Sequence, residues 1–219
     1  MSAPPEIEVI LPCLDEVQAW AWVLDRIPAG TTALVVDNGS RDGSAELAEA
    51  RGVRVVRAEQ RGYGAACHAG LVAATAPVVA AMDGDASLDP RQLDRVTGPV
   101  ADGDADLVLG ARRAVRGAFP WPLRLANRAL VARVRRRTGV PLQDVGPVRA
   151  ARREFLLGLD LLDRRSGYPA ETVARAAGAG ARITEVPVDY LRRRGRSKVT
   201  GTPFGVWHAV RDMSAAIQR

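Results

Sequence analysis
The chain has 219 residues, 47% of them hydrophobic and 26% charged, and a formal net charge of +6. This composition supports one domain with a full core and excludes a disordered chain, a collagen and a disulfide mini-protein. Cys13 and Cys67 offer no disulfide framework and fit a reducing compartment. The longest mainly apolar stretch, residues 71–82, holds Pro77 and is too short to span a bilayer. No basic run leads into an apolar one at the N-terminus, so nothing there reads as a secretory signal.

Apolar runs and helical patterns alternate along the first half. Residues 7–11 read as a strand ending at Pro12. Residues 16–26 carry Val17, Trp20, Val23 and Leu24 at helical spacing. Residues 33–36 form a second strand, closed by the turn sequence Asp37-Asn38-Gly39-Ser40. A helix over 44–50, a strand over 53–56, an alanine-rich helix over 64–74 and a strand over 77–82 follow. Asp89 caps a further helix with Pro90 in its first position, and residues 106–109 form a fifth strand. Beyond Arg112 the composition shifts, with twelve arginines against one acid, Asp144, up to Arg153. A helix is expected over 123–137 and a strand over 183–190. Strands that alternate with helices predict an α/β fold, a mainly parallel sheet covered on both faces. No repeat, linker or boundary interrupts it, so residues 1–219 read as one domain.

In open α/β sheets, ligands bind beyond the carboxyl ends of the strands. Three polar clusters fall there: residues 13–16, 37–40 and 83–85. Asp83-Gly84-Asp85 places two carboxylates directly after an apolar strand. Two hard oxygen ligands with room for water suit Mg²⁺ or Mn²⁺ bridged to a diphosphate. The plain alternative is a solvated Asp-Gly turn. Gly62-Tyr63-Gly64 follows the third strand and the first loop lacks glycine, so a dinucleotide-binding fold is not expected, and no P-loop is present. His68 and His208 are isolated, and Cys67 reads as a small core residue. The basic surplus calls for an anionic partner (phosphate, nucleic acid or membrane) or for a solvated helix face. Lys198 is the single lysine beside thirty arginines and reads as a phosphate contact.

Taken together, these segments resemble family 2 glycosyltransferases. Pro12-Cys13-Leu14-Asp15-Glu16 is similar to the family's opening Pro-x-x-Asn-Glu, with Asp15 in place of Asn. Residues 35–44, with Asp37-Asn38-Gly39-Ser40, resemble the second motif. Arg61-Gly62-Tyr63-Gly64 resembles the glycine-alanine helix start, and Asp83-Gly84-Asp85 the metal-binding Asp-x-Asp. Residues 107–112 resemble the next strand. Glu185-Val186-Pro187, followed by Arg193, Gly195, Ser197 and Lys198, is similar to the dolichyl-phosphate mannose synthase-like branch.

The resemblance implies a single GT-A-type nucleotide-diphospho-sugar transferase domain. Residues of about 6–110 would bind the nucleotide and about 111–200 the acceptor, with a C-terminal helix over 203–217. It implies a nucleoside pocket from Pro12, Glu16, Asp37, Gly62 and Asp83, and a metal site from Asp83, Asp85 and Ser87. Phosphates of donor or acceptor would meet Arg112, Arg149, Arg193, Arg196, Ser197 and Lys198. Asp144, with Glu171 as second candidate, would be the general base of an inverting transfer, unless an anionic acceptor needs none. The expected donor is a UDP-sugar ahead of a GDP-sugar, and the acceptor a polyprenyl phosphate or another phosphorylated or lipid-linked acceptor. The location implied is cytoplasmic, at the inner face of a membrane, with the C-terminal helix on that membrane or on the core. No nucleic acid partner is expected. The competing functions are a nucleotidyltransferase that makes nucleotide sugars, and a non-enzymatic basic module that binds RNA or anionic lipid.

Overall fold
The structure, a computed structural model, describes residues 7–195, 211–213 and 215–216. The first half follows the expected alternation: β1 (Ile7–Cys13), α1 (Val17–Leu24), β2 (Thr31–Asp37), α2 (Ser44–Ala50), β3 (Arg54–Arg57), α3 (Tyr63–Ala73) and β4 (Val78–Met82). A 3₁₀ turn, Pro90–Gln92, then leads into α4 (Leu93–Ala101). Asp89 does cap this start, accepting from the Arg91 N–H at 3.1 Å. The second half holds β5 (Leu107–Ala114), α5 (Trp121–Thr138), β6 (Val148–Arg152), α6 (Arg153–Gly158), α7 (Tyr168–Gly178) and β7 (Ile183–Tyr190). β6, α6 and α7 were not foreseen from sequence.

The seven strands form one sheet in the order β3-β2-β1-β4-β6-β5-β7. β1 pairs in parallel with both β2 and β4, and β5 in parallel with β7. β6 alone runs backwards, antiparallel to β4 and to β5. The chain thus leaves β1 to one side for β2 and β3, then returns to the other side for β4. A crevice opens at such a reversal.

Strand residues alternate between two cores, as the pleat requires. Ile10, Leu34, Val36 and Val79 pack under α3, α5 and α7. Val9, Leu11, Val35 and Val78 pack under α1 and α4. One charge is enclosed with them. Glu8, 2% exposed, accepts from the Thr75 and Ala76 N–H groups and so ties β1 to the turn before β4.

Gly70 is the point of closest approach of α3 to the sheet. A Cβ there would stand 2.4 Å from Ile10 Cγ2 and 2.9 Å from Val36 Cγ2. Gly70→Ala is therefore expected to lower stability by about 1–3 kcal/mol in urea denaturation. The gain of about 0.5–1 kcal/mol in helix propensity does not offset that clash. A midpoint at or above wild type would show that the sheet yields there.

Candidate active site
The loops after β1 and β2 are laced together before they form any wall. The Asp15 N–H donates to Ser40 Oγ at 3.0 Å, and the Arg41 N–H to Asp15 Oδ1 at 2.8 Å. The Glu16 N–H donates to Ser44 Oγ at 2.8 Å, and the Val17 N–H to Asp42 Oδ2 at 3.0 Å. Asp42 and Ser44 thus supply the N-terminal caps that α1 lacks locally. Asp15 holds a left-handed φ of 54°, a conformation that Asp and Asn tolerate. This explains in physical terms why either residue suits the position.

Beyond these loops lies a cleft of about 330 Å³. Pro12, Cys13, Glu16 and Asn38 form one end. Asp83 and Asp85 form the floor, with Arg112, Arg149 and Arg193 beside them. The far wall is apolar: Leu123, Ala126 and Leu130 from α5, with Val145, Pro147 and Met213. β6 enters the sheet antiparallel with Val148 opposite Met82. Its reversed direction brings Arg149 to the end of β4 where the carboxylates lie.

The charges on this floor are closely matched. Asp85, 3% exposed, is ion-paired with Arg193 and accepts from the Ser87 N–H at 2.9 Å. Burial pushes the Asp83 carboxyl upward, against the pull of Arg193, of Arg149, of a hydrogen bond with Tyr63 and of Arg112. Burial also raises the Tyr63 phenol well above its ordinary value, helped by Cys67 and Asp83. Arg149 is 3% exposed, and its Nε and Nη1 have no hydrogen-bond partner. A buried guanidinium in that state is ready for an anion. Gly84 lines the cleft and also packs closely, since a Cβ would stand 2.8 Å from the Trp20 ring. Ala86 adopts a left-handed φ of 62°, local strain beside the two carboxylates.

Several expected site residues lie elsewhere. Ser87 is fully buried, behind Asp85 rather than on the cleft wall, so it positions that carboxylate instead of facing a ligand. Gly62 is a backbone contact: a Cβ there would stand 2.1 Å from the Arg164 carbonyl oxygen, and its N–H donates to Asn38 Oδ1 at 2.7 Å. Asp37, 7% exposed, sits beside Asn38 behind the end formed by Pro12, Cys13 and Glu16, and accepts from the Gly39 and Ser40 N–H groups.

Glu171 is no base in this fold. It is fully buried, accepts from the Leu162 and Asp163 N–H groups, and pairs with Arg175 at 3.0 Å. Asp144 is likewise engaged. It receives the Arg112 guanidinium at 2.7 and 2.6 Å and the Arg112 N–H at 3.0 Å, and it does not line the cleft. Burial alone would raise its carboxyl, but Arg112 and the Gly146 N–H outweigh burial and hold it below the ordinary value. It orients Arg112, whose guanidinium also lies 4.4 Å from the Phe119 ring centroid and 5.5 Å from that of Tyr190. Little in the sequence signals this aromatic pair: Phe119 lies inside the arginine-rich segment and Tyr190 just before the second arginine cluster. Arg196, Ser197 and Lys198 lie outside the described residues, as does most of the 203–217 segment.

The donor set fits a hard divalent cation in part. Among the described residues no three His, Cys, Asp or Glu side chains form a metal-binding group. Asp83 and Asp85 would therefore offer a cation two carboxylates, and a diphosphate and water would have to complete its shell.

A doubly covered sheet with acidic and arginine side chains in a cleft at the reversal of strand order defines an α/β protein with a polar ligand site there. The family model described as Glycosyl transferase family 2 matches residues 6–157, and the chain belongs to that family. It is a glycosyltransferase, which sets aside the nucleotidyltransferase and the non-enzymatic module. It is 46% identical over 208 residues to an uncharacterized glycosyltransferase of Mycobacterium tuberculosis, covering 94% of this chain and 95% of the relative. It is 33% identical to a dolichyl-phosphate hexose transferase of Haloferax volcanii, covering 89% and 86%. It is 32% identical to an undecaprenyl-phosphate mannosyltransferase of Micrococcus luteus, covering 90% and 88%. The fold matches glucosyl-3-phosphoglycerate synthase from Mycobacterium tuberculosis in complex with Mn²⁺, UDP-glucose and phosphoglyceric acid. That match has a TM-score of 0.79 at 24% identity and covers 98% of this chain and 80% of that one.

Removal of Asp144 would leave Arg112 uncompensated inside the protein. The folded Asp144 carboxyl lies below its ordinary value of 3.8. Its stabilisation is therefore complete above that ordinary value and is lost as pH falls through the lowered one. The stability gap between wild type and Asp144→Ala in urea denaturation is expected to be about 3–5 kcal/mol at neutral pH and to close in acid. A gap independent of pH would count against the ion pair.

Proposed function
We infer that the protein transfers a sugar from a UDP-sugar to a phosphate-bearing lipid, inverting the anomeric centre, with Mg²⁺ or Mn²⁺ held by Asp83 and Asp85. One observation carries the acceptor class. The described acids that line the cleft are Glu16, Asp83 and Asp85, and α5 contributes none of them. With Asp144 bound to Arg112, the described residues of the apolar wall offer no carboxylate to take a proton from an alcohol. A phosphate monoester needs no such base. Its oxygen is already anionic and attacks the anomeric carbon as the bond to UDP breaks.

The apolar wall suits a polyprenyl chain, and Arg112 and Arg149 suit its phosphate. The names of the dolichyl-phosphate and undecaprenyl-phosphate relatives support the same class. UDP rests on Asp37, which retains free lone pairs for a ring N–H. The UDP and Mn²⁺ in the solved neighbour support both donor and cation. The cation would neutralise the diphosphate as it leaves. On this reading residues of about 6–110 bind the donor and about 111–200 the acceptor. Arg196, Ser197 and Lys198 add to the phosphate contacts. The enzyme works in the cytoplasm at the inner face of a membrane.

Calorimetry with UDP tests the donor side. Mn²⁺ is expected to tighten UDP binding at least about tenfold, or 1.4 kcal/mol. Asp85→Ala should bind UDP equally with Mn²⁺ and with EDTA. Wild-type affinity unchanged by EDTA would remove the metal from the reading.

The acceptor side is tested by transfer to a polyprenyl phosphate. Lys198→Ala is expected to lower that rate about ten- to a hundredfold and to leave hydrolysis of the donor by water nearly unchanged. Efficient transfer to a neutral alcohol would overturn the acceptor class.

A further inference from the structure
The amino-terminal half of α5 turns two apolar side chains to solvent. Trp121 is 69% exposed and Leu125 60%. They stand four residues apart and so share one face of the helix. Val115, in the segment that leads into α5, is 44% exposed. The rest of the helix is packed in the ordinary way: Leu130, Val131 and Val134 are buried, and Leu123 and Ala126 line the cleft. Folding does not account for an exposed Trp beside an exposed Leu, and adjoining exposed apolar groups mark a contact surface.

The charge around this patch identifies its partner. Arg113, Arg116, Arg124 and Arg128 are all exposed. Within residues 112–153 the single acid is Asp144, which is buried. A tryptophan and aliphatic side chains on a segment that carries four exposed arginines and no exposed acid of its own match an anionic bilayer; the exposed acid that the sheet brings to it is Asp189, opposite Arg113. The indole sits at headgroup level, the aliphatic groups enter the acyl boundary, and the arginines meet lipid phosphates. A single-stranded nucleic acid would use the arginines and the indole, but it offers nothing to Leu125 and Val115.

We propose that α5 docks this enzyme on an anionic membrane through Trp121 and Leu125, with Arg113, Arg116, Arg124 and Arg128 on the lipid phosphates. The other side of the same helix is the apolar wall of the cleft, so docking holds that wall about one helix diameter, roughly 10 Å, from the lipid surface. The proposal deepens the lipid-acceptor reading but stands on residues outside the cleft.

Co-sedimentation of the full chain with vesicles tests it. Phosphatidylcholine vesicles that contain phosphatidylglycerol should bind the protein, pure phosphatidylcholine vesicles far less, and added salt should weaken binding. Trp121→Ala/Leu125→Ala and Arg124→Gln/Arg128→Gln should each lower vesicle affinity about tenfold or more. Both variants should keep the wild-type melting temperature and metal-dependent UDP binding. That binding is the separate readout of the donor site, so failure of docking and failure of the functional reading are distinguishable. Wild-type vesicle binding by Trp121→Ala/Leu125→Ala would overturn the proposal, as would no binding to anionic vesicles. A large fall in its melting temperature would assign the two side chains to packing and overturn it too. Equal capture by heparin or RNA, dependent on the arginines but not on Trp121, would replace the membrane with a polyanion.

Discussion

Two carboxylates enclosed at the end of β4 set the terms for the rest of the molecule. Charge of one sign cannot stay in a poorly hydrated cleft without compensation. Arg193 arrives from beyond β7 to pair with Asp85, and Arg149 arrives on β6. Arg112 arrives on β5, already held by Asp144 and stacked on Phe119. Three strands of the second half therefore end where the first half needs positive charge. The same guanidinium groups that balance this floor are those that the proposed function assigns to phosphates.

Much of this was legible because local chemistry and global fold agree. α2 and β7 were read with their true boundaries, since turn residues frame them. The motif from Asp37 to Ser44 stood out, and the structure gives it a mechanical reason: Ser40, Asp42 and Ser44 lace two loops and cap α1. Arg149 was marked as a phosphate ligand although its strand was not recognised. Val148–Arg152 alternates arginine with alanine and lacks the β-branched run that signals a strand; it is one because β4 and β5 both need a neighbour there.

What stayed hidden was tertiary. Asp144, the single acid of residues 112–153, and Glu171 are the candidates for a base that the sequence offers. Each turned out to satisfy buried donors that only the folded chain brings near: two backbone N–H groups and Arg175 for one, Arg112 for the other. Gly62 and Gly84 sit in motifs where close approach to a ligand is the natural expectation. In the fold Gly62 makes room for the Arg164 carbonyl, whereas Gly84 lines the cleft and also makes room for the Trp20 ring.

The reversed strand β6 also dictates an order of assembly as the chain is made. β1 to β4 find their partners among themselves and can pair once residue 82 has left the ribosome. β5 cannot join them, because both its neighbours, β6 and β7, lie later in the chain. Through that interval the open side of β4 is an unpaired edge, and the arginine-rich α5 is waiting to be packed. Completion of the sheet depends on closing a long loop between Val79 and Ala151, a slow step in chains dominated by distant contacts. The nascent half-sheet is thus the state most exposed to edge-to-edge association.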